Sequence, residues 1–164
     1  MSKVLRQIVN MALSEDIGAG DLSSSLLDDN VINAQIICRE KAIICGIDYS
    51  ELCFTTLDPD ITINWKIKEG EEATRNAVIC HLKGKSQAMI SAERTALNFL
   101  QTLSATATQT KHLVDMIKHT KAKLLDTRKT IPNLRHAQKH AVRCGGGVNH
   151  RCLLYTSPSP RDRG

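Results

Sequence analysis

The sequence predicts an α+β unit followed by the opening of a βα-type domain, and three observations predict it. Strict alternation marks a half-buried strand at 61–67, where Ile61, Ile63, Trp65 and Ile67 share one face and Thr62, Asn64 and Lys66 the other. A stretch free of proline and glycine, from Ser86 to Thr120, carries apolar residues at helical spacing. Beyond it, strand, loop, helix and glycine turn succeed one another between 122 and 147, the order of a β–α unit.

Taken in order, Val4, Ile8 and Met11, with Leu5 and Ala12 alongside, predict an amphipathic helix over 3–13. Gly18 and Gly20 end it in "EDIGAGDLSS", where Asp21 and Ser23 can cap the next element. "NAQIICREKAIICG" reads as two short strands around the polar Arg39–Lys41, and "DYSELCFTTL" as a helix. "EGEEATR" is a turn and "AVICHLKG" a further strand, so the first 85 residues make an antiparallel sheet with helices. In the glycine-free stretch, Ala92, Ala96, Phe99 and Leu103 mark one stripe, and Leu113, Val114 and Ile117 another. One long helix fits, as do two with a break in the Thr-rich "SATATQT". "AKLLDT" then reads as a buried strand. Thr130 caps a helix with Pro132 in its first turn, and "NLRHAQKHAV" runs to Gly145. "LYTSPSPRDRG", residues 154–164, lacks periodicity and reads as disordered.

Composition narrows the partners. A chain of 164 residues holds one compact domain, or one small domain and part of another. Aromatics at 3% argue against a stacking platform for single-stranded nucleic acid, and the net charge of +5 is compatible with any anionic partner. The six cysteines form no C-x-x-C pair, so their spacing predicts no structural zinc site. With no apolar signal segment and no run of about 18 apolar residues, the expectation is a cytoplasmic chain with reduced, mostly buried thiols and no membrane partner.

The unusual stretch is "DTRKTIPNLRHAQKHAVRCGGGVNHR", residues 126–151, with six Lys or Arg and three His against the single carboxylate of Asp126. It begins at the end of a predicted strand, where α/β folds bind ligands. Arg128 offers a planar fork for carboxylate or phosphate and Lys129 a mobile point charge, while Thr127 and Thr130 add hydroxyls. Gly145 to Gly147 make a turn whose backbone N–H groups can approach an anion, and His150 and Arg151 add a donor and a second fork. This set suits a small molecule bearing several carboxylates or phosphates. Arg135, Lys139 and Arg143, at four-residue spacing, read instead as a solvated helix face, with His136 and His140 as surface residues. The triple glycine matches neither the dinucleotide-binding nor the P-loop pattern.

"LLDTRKTIPNLRHAQKHAVRCGGGVNHR" closely resembles the signature of the quinolinate phosphoribosyltransferase family. "ERTALNFLQTLSATAT" resembles that family's helix segment, and "SEDIGAGDLSS" its N-terminal acidic-glycine motif. The resemblance runs from about Leu5 to Arg151; one departure is "LSATAT", where the family carries a glycine after the serine. It implies an α+β N-terminal domain followed by the opening β/α segment of an α/β barrel, incomplete here: residues 1–103, then 104–151, then a non-family tail at 152–164. It also implies transfer of a phosphoribosyl group from phosphoribosyl pyrophosphate to quinolinate with loss of CO₂, Mg²⁺ as cofactor, and a homodimer or higher assembly. On this resemblance Thr127, Arg128, Lys129, His150 and Arg151 line the substrate pocket, with Lys129 and His150 as catalytic residues. Arg94, in "ERTALN", would reach a neighbouring subunit's pocket.

After "NHR" the family continues into strands bearing another lysine and the acidic residues that bind ribose hydroxyls and Mg²⁺. The tail replaces them here, so the expectation is a truncated, inactive copy. Two alternatives come from other classes: a related phosphoribosyltransferase-like protein of molybdenum transport, and a non-catalytic basic module for nucleic acid, whose binding would fall steeply with salt.

Overall fold

A computed structural model describes residues 3–18 and 28–150. The stretches 19–27 and 151–164, which include Gly20, Asp21, Ser23, Arg151, Cys152 and the Pro/Ser tail, lie outside the described residues. The chain runs through helix α1 (Lys3–Ile17), strands β1 (Val31–Ile37) and β2 (Ala42–Ile43), helix α2 (Ile47–Leu57), strands β3 (Thr62–Trp65), β4 (Glu72–Ala73) and β5 (Val78–Lys85), then helices α3 (Ser86–Ile117) and α4 (Arg135–Cys144).

β5 is the longest strand and the centre of an antiparallel sheet ordered β1-β5-β3. Its alternation puts Cys80 and Leu82 inward and His81 and Lys83 outward, which is how an antiparallel strand serves a single covered face. Ile61, Cys80 and Leu82 bury against Val9 and Leu13 of α1, Leu52 and Phe54 of α2, and Met89, Ala92, Ala96 and Phe99 of α3. The predicted stripe along α3 is therefore the stripe that closes the core. "EGEEATR" is more than a turn: its Glu72–Ala73 pairs with Ala42–Ile43 as a second, two-stranded sheet.

α3 does not break in "SATATQT". Thr106 and Thr110 donate their hydroxyls back to the carbonyls of Thr102 and Thr106, 3.0 and 2.8 Å away, which keeps them satisfied within the helix. Ser104 and Thr108 face the N-terminal unit, where their Oγ atoms accept from Cys45 N and Ile43 N, both at 2.9 Å. The small polar residues form a docking face for β2, and a helix paired along that face has no reason to kink.

Two expectations fail beyond α3. "AKLLDT" is not a buried strand: Leu125 makes one parallel bridge to Val148 and is 49% exposed. Parallel pairing needs neighbours and cover on both faces, and among the described residues the segment has one partner only. Thr130 does not cap α4 either. Asn133 takes φ 64°, which stops helical continuation, and the helix begins at Arg135 with Leu134 in the capping position. Gln138 instead reaches back, its Oε1 accepting from Ile131 N at 2.8 Å. Ala137 and Ala141 of α4 then bury against Leu103 and Ala107 of α3.

Candidate functional site

Asp126 sits at the end of the parallel bridge and is 5% exposed in its side chain. The Lys139 ammonium, 2% exposed, donates to its Oδ1 at 2.6 Å, and His150 N donates to the same oxygen at 3.0 Å. With the Asn149 amide oriented to satisfy its neighbours, its nitrogen donates to Asp126 Oδ2 at 2.8 Å and to Lys139 O at 3.0 Å. Its oxygen then accepts from Arg143 Nη1 at 2.7 Å. One carboxylate thus ties loop 126–130 to loop 148–150 and both to α4. Lys139 is no part of a solvated face, because a lysine on the inner side of α4 is the nearest charge able to neutralise buried Asp126. Arg143 stays exposed, as expected.

Around this tie the structure brings Thr127, Arg128, Lys129 and His150 onto two adjoining loops. Thr127 Oγ1 accepts from Lys129 N at 3.1 Å and so fixes the turn, leaving Lys129 exposed. Arg135 braces the same turn, donating from Nη2 to Arg128 O at 3.4 Å and from Nε to Thr130 Oγ1 at 3.3 Å. Arg128 is half-buried, and its Nε is enclosed without a hydrogen-bond partner among the described residues. A buried guanidinium N–H left unpaired costs roughly 1–3 kcal/mol, so it favours a further acceptor. His150 is exposed, and its backbone rather than its ring makes the bond to Asp126.

The triple glycine does a different task from the anion cradle its sequence predicts. Gly146 takes φ 86°, Gly146 N donates to Arg143 O and Gly147 N to Val142 O, both at 2.9 Å. This pair of bonds around a left-handed residue is the Schellman end of a helix. Gly145 N is used as well, donating to Ala141 O at 3.0 Å, so these amides are not free for a ligand. A Cβ on Gly145 would stand 2.3 Å from Ala107 O and one on Gly147 2.6 Å from Val142 Cγ1. Three glycines in a row let α4 end, turn and lie directly on α3.

Arg94 is not part of this cluster. It projects from α3 with 75% of its side chain exposed, and its Nη1 pairs with Asp16 Oδ1 of α1 at 2.8 Å. The residues that sequence reasoning missed are Asp126, Lys139 and Asn149. The signal available was the lone carboxylate among nine basic and imidazole side chains, since a single acid in such company is a natural buried partner.

The comparisons with known proteins converge. The family model for the quinolinate phosphoribosyl transferase N-terminal domain matches residues 21–104, and that for the C-terminal domain matches residues 106–157. A probable nicotinate-nucleotide pyrophosphorylase (carboxylating) of Bacillus subtilis is 38% identical over 92% of this chain and 53% of its own length. A quinolinate phosphoribosyltransferase (decarboxylating) of Nicotiana tabacum is 36% identical over 92% of this chain and 43% of its own. The solved nicotinate-nucleotide pyrophosphorylase of Francisella tularensis superposes with a TM-score of 0.91 at 47% identity, over 93% of this chain and 54% of that one. The chain spans about half the length of the relatives it matches.

Proposed function

The chain belongs to the quinolinate phosphoribosyl transferase family, and from that membership we propose that it contributes part of an enzyme joining quinolinate to phosphoribosyl pyrophosphate. The products are nicotinate mononucleotide for NAD biosynthesis, pyrophosphate and CO₂. One observation carries this reading to the residues: loops 126–130 and 148–150, tied by Asp126, hold a buried Arg128 Nε with no acceptor among the described residues, together with exposed Lys129 and His150.

In this reading the pyridine nitrogen of quinolinate attacks the ribose anomeric carbon while pyrophosphate leaves with the C–O bonding pair. The C–C bond to the ring carboxylate next to the nitrogen then breaks, CO₂ departs, and the carbon takes up a proton. Both substrates are polyanions, so the chain's task is to neutralise and position. Arg128 clamps a carboxylate through its fork, Arg151 supplies a second fork, and Thr127 a hydroxyl. Lys129 follows the charge that gathers on the leaving group, and His150 donates beside it. Arg94, 75% exposed and paired at the surface with Asp16, serves the pocket of a neighbouring subunit in a homodimer or higher assembly.

The described loops do not fit the Mg²⁺ that the family implies. Asp126 is their one carboxylate, and both its oxygens are occupied by Lys139, His150 N and Asn149. No step is assigned to the ion. Among the described residues no helix is long and apolar enough to cross a membrane. The free thiols of Cys38, Cys45, Cys53, Cys80 and Cys144 support a reducing compartment, and we place the protein in the cytoplasm.

The test is product formation by the protein that carries this sequence over the full length of its relatives. Incubated with quinolinate and phosphoribosyl pyrophosphate, it should yield nicotinate mononucleotide and pyrophosphate in equal amounts. No product above a heat-killed control refutes the assignment.

A further inference from the structure

Away from the loops, four metal-ligating side chains meet where α4 touches the N-terminal unit. Cys45 lies in the turn before α2, Glu69 in the loop between β3 and β4, and His140 and Cys144 one turn apart on α4. Their donor atoms all lie within 4.8 Å of one another. Cys45 Sγ is 3.1 Å from Glu69 Oε1, His140 Nε2 is 3.0 Å from the same oxygen, and Cys144 Sγ is 3.4 Å from His140 Nε2. Zinc bonds of about 2.3 Å to sulfur and about 2.0–2.2 Å to nitrogen or oxygen set tetrahedral donors about 3.3–3.8 Å apart. Three of the six donor pairs stand within a few tenths of an ångström of that spacing, and no pair is more than 4.8 Å apart.

We propose that Cys45, Glu69, His140 and Cys144 form a structural binding site for a borderline-soft divalent cation of the Zn²⁺ type, which clamps α4 to the N-terminal unit. Two thiolates, an imidazole and a carboxylate are the donor set that such an ion prefers over Mg²⁺ or Ca²⁺. Glu69 is held in place for the role. The Gly46 N–H is shared between Glu69 Oε1 at 2.9 Å and Oε2 at 3.1 Å, and Ile47 N donates to Oε2 at 3.0 Å, which fixes the carboxylate with Oε1 toward the two thiols and the imidazole. Gly70 follows it with φ 82° and lies against Cys144, where a Cβ would stand 3.8 Å from that thiol's Sγ. Three separate segments of chain thus converge on one point about the size of an ion.

Without metal the cluster is internally hydrogen-bonded. Arg143 Nη2 donates to His140 Nδ1 at 3.1 Å, so Nε2 carries the ring proton and donates to Glu69. Burial first, then the hydrogen bond to Glu69, pushes the Cys45 thiol far up, and burial also raises that of Cys144. Thiols held protonated in this way are slow to oxidise to a disulfide. The carboxylate that makes them poor acids is also what draws in a cation, whose charge then favours the thiolates. On binding, the two thiol protons leave to solvent and the His140 proton moves from Nε2 to Nδ1. Arg143 then releases the ring and keeps its bond to Asn149.

The test is a titration of the reduced, metal-free chain with Zn²⁺ by calorimetry, and with Co²⁺ by absorption. The expected result is one ion per chain, thiolate-to-cobalt charge transfer in the near ultraviolet, the intense visible bands of a tetrahedral ion, and a Zn²⁺-dependent rise in thermal midpoint. Cys144→Ser and His140→Ala should each weaken binding at least tenfold. Cys38→Ser and Cys152→Ser should leave it unchanged, and Arg143→Ala should match or exceed the parent. Cys45→Ser removes a fully buried thiol and can fail to fold, so the half-buried Cys144 and His140 decide the matter, with circular dichroism confirming that the variants are folded. Absence of stoichiometric binding, a cobalt spectrum without thiolate charge transfer, or a folded Cys144→Ser that binds like the parent overturns the proposal.

Discussion

Two of the carboxylate–cation pairs among the described residues are nearly equal in length and opposite in character. Asp126–Lys139 closes at 2.6 Å with side chains 5% and 2% exposed, while Asp16–Arg94 closes at 2.8 Å with 22% and 75% exposed. Burying two charges costs several kcal/mol each, and only a fully bonded environment offsets it. Asp126 has that environment in Lys139, His150 N and Asn149. The outer pair faces water and contributes about 0–1 kcal/mol. A count of basic residues in a sequence is therefore not a count of cations available to a ligand. Lys139 is committed to structure, and Arg94 can be withdrawn from its partner at little cost.

The largest effect that would break this comparison is expected at Lys139. Lys139→Met should cost about 3–5 kcal/mol by leaving Asp126 buried and unpaired, read from the urea midpoint. Adding Asp126→Asn should restore part of that, because the amide still accepts from His150 N without carrying a charge. A single-variant loss under about 1 kcal/mol would make the inner pair equivalent to a surface pair.

Next come the two forks that the motif offers to a ligand. In the protein at the full length of its relatives, Arg128→Lys and Arg151→Lys keep the charge and lose the fork. Each should lower kcat/KM for quinolinate by about 2–4 kcal/mol of transition-state binding. Arg143→Lys should stay within about 1 kcal/mol, because its guanidinium is exposed. Equal effects in all three would mean that the loops do not distinguish structural from substrate-binding cations.

The N-terminal unit was legible because its elements are set by local periodicity: the alternation at 61–67, the helical stripe Ala92–Ala96–Phe99–Leu103, and the strand at 78–85 all face the core as their patterns require. The segment after α3 was less so, because its order depends on contacts distant in sequence. Asp126 and Lys139 are thirteen positions apart and His150 twenty-four from Asp126, and no periodicity relates them. The helix start failed for a local reason, since Asn133 adopts a left-handed conformation that residue type permits but does not demand. The Cys45–Glu69–His140–Cys144 cluster was invisible to spacing rules, which look for paired cysteines within one short segment. The motif drew attention to the basic residues of 126–151, but nothing in it told that Lys139 is the buried one.

A smaller effect sharpens the comparison from the packing side. Lys139 reaches Asp126 only if α4 lies close on α3, and Gly145 sets that distance. Gly145→Ala would force a methyl to within 2.3 Å of Ala107 O and 2.6 Å of Thr110 Cβ. The helices must separate, at a cost of about 1–3 kcal/mol typical of overpacking. Gly146→Ala meets Val114 only at 3.5 Å and loses about 1 kcal/mol to its positive φ. If both glycines respond alike in the urea midpoint, the close approach is not what Gly145 provides.

The smallest effect is expected at the outer pair, and it is the one that tests the other half of the comparison. Arg94→Met removes the guanidinium and leaves Asp16 facing water, with Thr95 Oγ1 still 3.3 Å from its Oδ2. No charge is stranded in the interior, so the loss should be about 0.2–1 kcal/mol at low salt. Raising the ionic strength to about 1 M shortens the screening length to about 3 Å, which should erase what remains of it. The Lys139→Met loss should persist at that salt, because ions do not enter a site of 2% exposure. Urea midpoints of the parent and both variants at low and high salt give the answer in six measurements. If Arg94→Met costs as much as Lys139→Met, or if both losses vanish together with salt, burial does not separate the two pairs, and Arg94 is as structural as the lysine inside.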